Sequence, residues 1–227
     1  VYTGNEITPD IVIPGLKAGE DYYMYYEDNQ YPGVATVTIY GTGYYKGTAT
    51  IHFKIIKKTE KFVSNVKLNR TSYTYTGKII RPSVTVTVNG KKIGASAYKL
   101  YYKNNKNSGI GTVQVRGTGK YSRINKTLTF KILPPKTLLT GLKKVNRSFT
   151  ASWKKNIQAT GYQIQYATDS RFTKERKTVT VGKQSATRYK ISGLKNKKTY
   201  YVRIRSYKRV GKKILYSSWS TVKKIRI

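Results

Sequence analysis

Residues 2–55 return in the same order as residues 75–132, and a unit that occurs twice must be able to fold as a unit. "YTGNEITP" (Tyr2–Pro9) recurs as "YTGKIIRP" (Tyr75–Pro82), and "DYYMYYEDN" (Asp21–Asn29) as "AYKLYYKNN" (Ala97–Asn105). "ATVTIYGTGYYKGTATIHFKI" (Ala35–Ile55) recurs one residue longer at Gly111–Ile132. Inside each copy the apolar period is two. Tyr22, Met24 and Tyr26 share one face, as do Tyr98, Leu100 and Tyr102, and the same holds for Ile51, Phe53, Ile55 and for Leu128, Phe130, Ile132. Such alternation predicts half-buried strands. The turns are marked by Gly41-Thr42-Gly43 and Gly117-Thr118-Gly119, where glycine tolerates positive φ. "VKLNRTSYT" (Val66–Thr74) reads as a first strand of the second copy. The first copy has no counterpart, and the expectation is that its first strand, like any signal peptide, lies outside this fragment.

The copies are joined by a short polar linker, Lys57–Phe62, and the second is followed by "LPPKT" (Leu133–Thr137), whose prolines favour an extended, semi-rigid spacer. From Lys136 the pattern changes but remains two-periodic. Phe149, Ala151 and Trp153 share one face; Tyr162, Ile164 and Tyr166 point inward with Gln163 and Gln165 outward; Tyr200, Val202 and Ile204 alternate with Tyr201, Arg203, Arg205 and Tyr207. No helix-period segment stands out. The predicted fold is all-β, with three tandem β-sandwich modules at 1–57 (lacking its first strand), 63–133 and 136–227.

Two family resemblances follow from these residues. Trp153, and Leu194 six residues before Tyr200, fall where a fibronectin type III domain has its strand B tryptophan and its tyrosine corner. The segment Lys136–Ile227 therefore resembles that family. The "YTG…P", "YKLYYKNN", "GTGKY" and "LTFKI" motifs resemble the immunoglobulin-like repeats of secreted surface proteins of Gram-positive anaerobes, which implies an extracellular, cell-surface setting. "YSSWS" (Tyr216–Ser220) resembles the Trp-Ser-x-Trp-Ser motif of cytokine-receptor fibronectin modules, with Tyr216 in place of the first Trp. In that family rings interleave with arginines of the neighbouring strand. The resemblance implies a cation–π ladder of Arg203, Arg205, Tyr216 and Trp219, a part of the scaffold.

The residue types exclude most chemistry. There is no cysteine, and His52 is the single histidine, set on the outward face of a strand between Ile51 and Phe53. Nucleophilic catalysis needs a general base convergent with its nucleophile, and a zinc site needs several ligands. Glycoside hydrolysis needs two facing carboxylates, whereas Asp169 and Glu175 are the only acids after the second linker. Calcium needs clustered oxygens at loop spacing, which "GEDYYMYYEDN" does not provide. No catalytic, metal or cofactor site is expected, and no apolar run reaches the roughly 20 residues that span a bilayer.

Charge leaves binding open. The net charge is +36, and residues 58–227 hold 41 Lys/Arg against three acids. Self-repulsion of that size favours a polyanionic neighbour. Lysines outnumber arginines by 33 to 12, which suits diffuse attraction better than shaped phosphate recognition. Lys195, Lys197, Lys198, Lys208, Lys212 and Lys213 are the candidate polyanion contacts; the alternative is that outward lysines solvate the sandwich and deter edge pairing. Tyr23, Tyr25 and Tyr101 face outward and could stack on sugar rings, or pair across strands. No groove-reading element supports sequence-specific nucleic-acid recognition. The leading expectation is a non-enzymatic surface region, monomeric within a longer chain, acting as spacer or as adhesive or wall-associated module. A dedicated binder of an anionic cell-wall polymer or of a host or bacterial glycan is one alternative, and an accessory region of a larger secreted enzyme is another.

Overall fold

The computed structural model describes residues 1–59 and 61–227; Glu60, within the linker read from the sequence, lies outside the described residues. The chain divides into two compact units, Val1–Phe62 and Val63–Ile227, each built from strands.

In the first unit, β1 (Tyr22–Glu27), β2 (Gly33–Gly41) and β3 (Thr48–Ile55) form one antiparallel sheet in that order. The alternation sets its faces. Tyr22, Ala35, Val37, Ile39 and Ile55 are buried on one side, whereas Tyr23, Tyr25 and His52 lie on the other. His52 stands opposite Thr36, with its Nδ1 3.2 Å from the threonine hydroxyl.

The second unit begins with the other copy of the repeat, built from β4 (Ser64–Leu68), β5 (Ser72–Thr74), β6 (Val84–Val88), β7 (Lys91–Lys92), β8 (Tyr98–Lys103), β9 (Gly109–Gly117) and β10 (Asn125–Leu133). One sheet runs β4-β6-β7 and the other β5-β10-β9-β8, with β5 parallel to β10. Hydrogen bonds repeat between the copies. The Tyr26 hydroxyl donates to the Pro9 carbonyl and that of Tyr102 to the Pro82 carbonyl; Asn29 and Asn105 brace Ile7 and Ile80 from the same turn. Thr42 and Thr118 donate their backbone N–H to Asp21 and Ala97. The copies differ where β4 and β5 have no counterpart. Residues 11–15, aligned with β6, form no strand, because a strand needs a hydrogen-bonded neighbour and β6 has β4. Ile51 is correspondingly exposed and Phe53 half-buried, while Phe130, at the position of Phe53, is buried edge-on against Tyr73 of β5.

Next come β11 (Leu139–Val145), β12 (Ser148–Trp153), β13 (Gly161–Ala167), β14 (Lys177–Val181), β15 (Arg188–Ile191), β16 (Thr199–Val210), β17 (Lys213–Tyr216) and β18 (Lys223–Arg226). Sheet β11-β12-β15 faces sheet β14-β13-β16-β17, and β18 pairs with the start of β16. Between them lies a core of Phe149, Ala151, Trp153, Tyr162, Ile164, Tyr166, Val202 and Ile204. Each large apolar side chain buried there contributes roughly 1.5–3 kcal/mol. The expected corner is present. Leu194 is buried, and the Tyr200 hydroxyl accepts the Lys195 backbone N–H at 3.1 Å. Tyr207, expected outward with Arg203 and Arg205, is instead 4% exposed. It lies opposite Gly161, where a Cβ would come within 2.7 Å of its hydroxyl, and packs edge-on to Tyr216.

The proline stretch is anchored. The Pro135 carbonyl accepts from Asn156 Nδ2 at 2.9 Å and from the Ser206 hydroxyl at 2.8 Å, so it is pinned to the sandwich that follows. Across the same junction the Ser108 N–H donates to Gln158 Oε1 at 2.9 Å, and Gln158 Nε2 donates to Asn107 Oδ1.

Gly111 faces Phe130 across the β9–β10 pair, and a Cβ there would meet the ring at 2.4 Å. The first copy carries Ala35 at that position, opposite the less buried Phe53. Gly111→Ala is expected to destabilise the second copy by about 1–3 kcal/mol through overpacking. Faster hydrogen exchange of the β9 and β10 amides would show it, and unchanged protection would refute the packing account.

Candidate functional site

The most organised side-chain cluster stands on the outer face of β13 and β16. Arg203 and Arg205 are two apart on β16, so both guanidinium groups point the same way. Directly across on β13 stand Gln165 and Gln163. Gln165 Oε1 accepts from Arg203 Nε at 2.9 Å and from its Nη2; Gln163 Oε1 accepts from Arg205 Nε at 3.0 Å and Nη2 at 2.7 Å. The rings lie over the guanidinium planes. Arg203 is 4.0 Å from the Phe172 centroid and 4.6 Å from that of Trp219; Arg205 is 4.3 Å from Trp219 and 3.8 Å from Tyr216. The stack therefore reads Phe172–Arg203–Trp219–Arg205–Tyr216. Burial lowers both guanidinium pKa values, and for Arg203 the neighbouring Arg205 charge lowers it further. An arginine stays charged after such a shift.

The last strand has to break to bring Trp219 there. β17 pairs with the end of β16 and β18 with its start, and residues 217–222 between them form no ladder. Two serines three apart fill the gap. The Ser220 hydroxyl accepts the Ile204 N–H and the Ser217 hydroxyl the Ser206 N–H, both at 3.0 Å, while the N–H groups of the same serines return to the Ile204 and Ser206 carbonyls. Those buried strand N–H groups would otherwise lack partners.

Phe172, the outer ring, was not part of the expected ladder. It comes from the β13–β14 loop, is 2% exposed and has φ of 59°. Asp169 shapes that loop by accepting the N–H groups of Arg171, Thr173 and Lys174 and the Thr173 hydroxyl. The Lys174 N–H is the largest cause of a lowered Asp169 pKa. An aspartate followed by an aromatic in a polar loop is a common turn composition, so the sequence carried no signal that this ring crosses to β16.

The six candidate lysines do not form one surface. Lys195, Lys197 and Lys198 precede β16, and Lys212 and Lys213 follow its far end, so the strand's twelve residues hold the groups roughly 35–40 Å apart. Lys195 is engaged by Glu175 at 3.0 Å. Lys208 is half-buried beside a cleft. Tyr23 stacks on Tyr40, 5.0 Å between centroids and 12° between planes, and Tyr101 lies under Arg116 at 5.4 Å. Tyr25 is 57% exposed. Among the described residues no three of His, Cys, Asp or Glu cluster to hold a metal ion, and no helix is long and apolar enough to cross a membrane.

Comparison with known proteins matches the strands from β11 to the start of β18. The family model for the fibronectin type III domain matches residues 134–223, and that segment is a fibronectin type III domain. The chain matches no curated protein. Among solved structures, a fibronectin type III domain of human collagen XX is 20% identical over 41% of this chain and 90% of its own, with a TM-score of 0.32. A multidomain titin fragment is 14% identical over 95% of this chain and 84% of its own, with a TM-score of 0.31. Fibronectin type III domains are common extracellular or cell-surface modules, and no enzyme family is indicated.

Three outcomes are expected. Ser220→Ala should cost about 1–3 kcal/mol, the penalty of an unpaired buried N–H at Ile204; Trp219→Ala should cost about 1–2 kcal/mol through its two guanidinium contacts. Urea titrations followed by Trp153 fluorescence measure the second, and by both tryptophans the first; a change under 0.3 kcal/mol in either would contradict the assigned role. The third outcome concerns acid. A carboxylate with a depressed folded pKa stabilises above its unfolded pKa and loses that contribution as pH falls through the folded value. Order in the 169–174 loop should therefore decline below about pH 4. Trp219 fluorescence should report Phe172 leaving Arg203, and Asp169→Asn should abolish this step; an acid step unchanged in Asp169→Asn would be the contrary result.

Proposed function

We propose that this chain is a non-enzymatic extracellular surface region in which the second repeat copy and the fibronectin type III domain act as one stiff element. The repeat motifs, read as immunoglobulin-like surface repeats, support that setting. The observation that carries the proposal is the junction. Asn156 ties Pro135 to Ser206, its backbone N–H binds the Tyr162 hydroxyl, and Gln158 reaches back to Ser108 and Asn107. A linker held from both sides transmits direction, which a spacer or a presenting module needs.

Because the chain lacks cysteine, two labels can be introduced without background. Spin labels at Thr127→Cys and Lys177→Cys, both exposed positions, should give one narrow distance distribution in the full chain. Asn156→Ala should broaden it. A broad distribution in the parent chain would overturn the stiff-element reading.

A second reading, contact with an anionic polymer, rests on a different observation. Residues 63–227 hold 39 Lys/Arg and two acids, and both acids are already engaged, Asp169 by its own loop and Glu175 by Lys195. The cations on this unit have almost no internal counter-charge, so external anions are the available one.

A further inference from the structure

Between the turn joining β8 to β9 and the far end of β16 lies a cleft of about 480 Å³, lined among others by Lys106, Asn107, Ser108, Lys208 and Arg209. From its geometry and composition we infer that this cleft is an oxyanion site, which takes a sugar or polyol unit carrying a phosphate or sulfate ester. The inference rests on the anionic-polymer reading above and gives it a location.

The first support is a comparison within the molecule. The turn occurs in both repeat copies with the same positive-φ residue and the same asparagine bond. Asp28 and Asn104 have φ of 55° and 53°, and Asn29 and Asn105 make the same amide bond to Ile7 and Ile80. The fold therefore asks for one asparagine, one positive-φ residue and the glycines Gly33 and Gly109. At the remaining positions "ED-QYP" in the first copy becomes "KN-KNS" in the second. An acidic turn has become a basic one on the same hydrogen bonds, and although the positive φ suits Asn104, turn formation does not explain Lys103, Lys106, Asn107 and Ser108.

The second support is what lines the cleft. Among the described residues no ion pair engages Lys106, Lys208 or Arg209. Ser108 is 6% exposed, and its hydroxyl has no hydrogen-bond partner. An unmet buried hydroxyl is costly and uncommon. Asn107 accepts through Oδ1 from Gln158, which leaves its own N–H₂ group to donate. Arginine supplies a planar fork suited to a tetrahedral ester, with lysines adding charge. A volume near 480 Å³ is that of a small-molecule cleft and exceeds what a bare ion needs.

The test uses the full chain in 0.15 M NaCl, where charges on open surface separated by more than about 8 Å are screened and a cleft-bound pair is less so. The probes are a poly(glycerol phosphate) oligomer, a sulfated heparin hexasaccharide and, as a carboxylate comparison, a polygalacturonate oligomer, each titrated calorimetrically. Two variants with the same loss of charge are compared: Lys106→Ala/Arg209→Ala in the cleft, and Lys223→Ala/Lys224→Ala, both exposed on β18. The cleft variant should bind an ester probe at least tenfold more weakly, and the β18 variant less than threefold more weakly. The stronger of the two ester probes identifies phosphate or sulfate as the source. Equal losses in both variants would overturn the cleft and leave diffuse attraction standing. Tighter binding of the carboxylate probe would overturn the ester assignment. No binding of any probe by the parent chain would overturn the cleft and the anionic-polymer reading together.

Discussion

Residues 63–227 have 39 lysines and arginines and only Asp169 and Glu175 to set against them, so their half-buried cations must be satisfied by something other than carboxylates. The structure meets this constraint with π faces and amide oxygens. Arg203 and Arg205 each receive one glutamine carbonyl and two aromatic faces. Neither partner carries charge, so the ladder lets a positively charged sheet face pack without neutralising it. The net charge survives folding and remains available to the surroundings.

Much of the local architecture follows from holding that face together. The last strand breaks so that Trp219 can enter between the arginines, and Ser217 and Ser220 take over the hydrogen bonds that the missing ladder would have made. The 169–174 loop turns back on Asp169 so that Phe172 closes the stack. At the junction of the fibronectin type III domain with the second repeat copy, Asn156 holds Pro135 and Gln158 reaches across to Ser108. The duplicated unit shows a related economy. Its hydrogen-bond frame is common to both copies, and charge varies on top of it: acidic at Glu27 and Asp28, basic at Lys103 and Lys106.

Strand positions were largely legible because alternation is a local property, present in the residues whatever their partners. The core landmarks Trp153, Leu194 and Tyr200, and four of the five ladder members, Arg203, Arg205, Tyr216 and Trp219, were legible through the family resemblances that short motifs carry. Other features were not. Tyr207 has outward parity and is buried, because a glycine opposite and a tyrosine beside it cover its ring. The candidate lysines looked like one group in a run of nineteen residues, yet β16 carries them to opposite ends of a sheet. Tyr23 and Tyr101 looked available for stacking and already have a ring and a guanidinium against them.

By itself, then, the sequence determined the class of fold, the duplication, the pattern of inward and outward residues and the excess of positive charge, since each is carried by composition or by neighbours along the chain. The tertiary structure decided which of those charges meet rings, which line a cleft and which module holds the proline stretch. Phe172 and Arg203 are thirty-one residues apart, and Ser108 and Gln158 fifty. Contacts over such separations depend on strand order and register, and no local pattern encodes them.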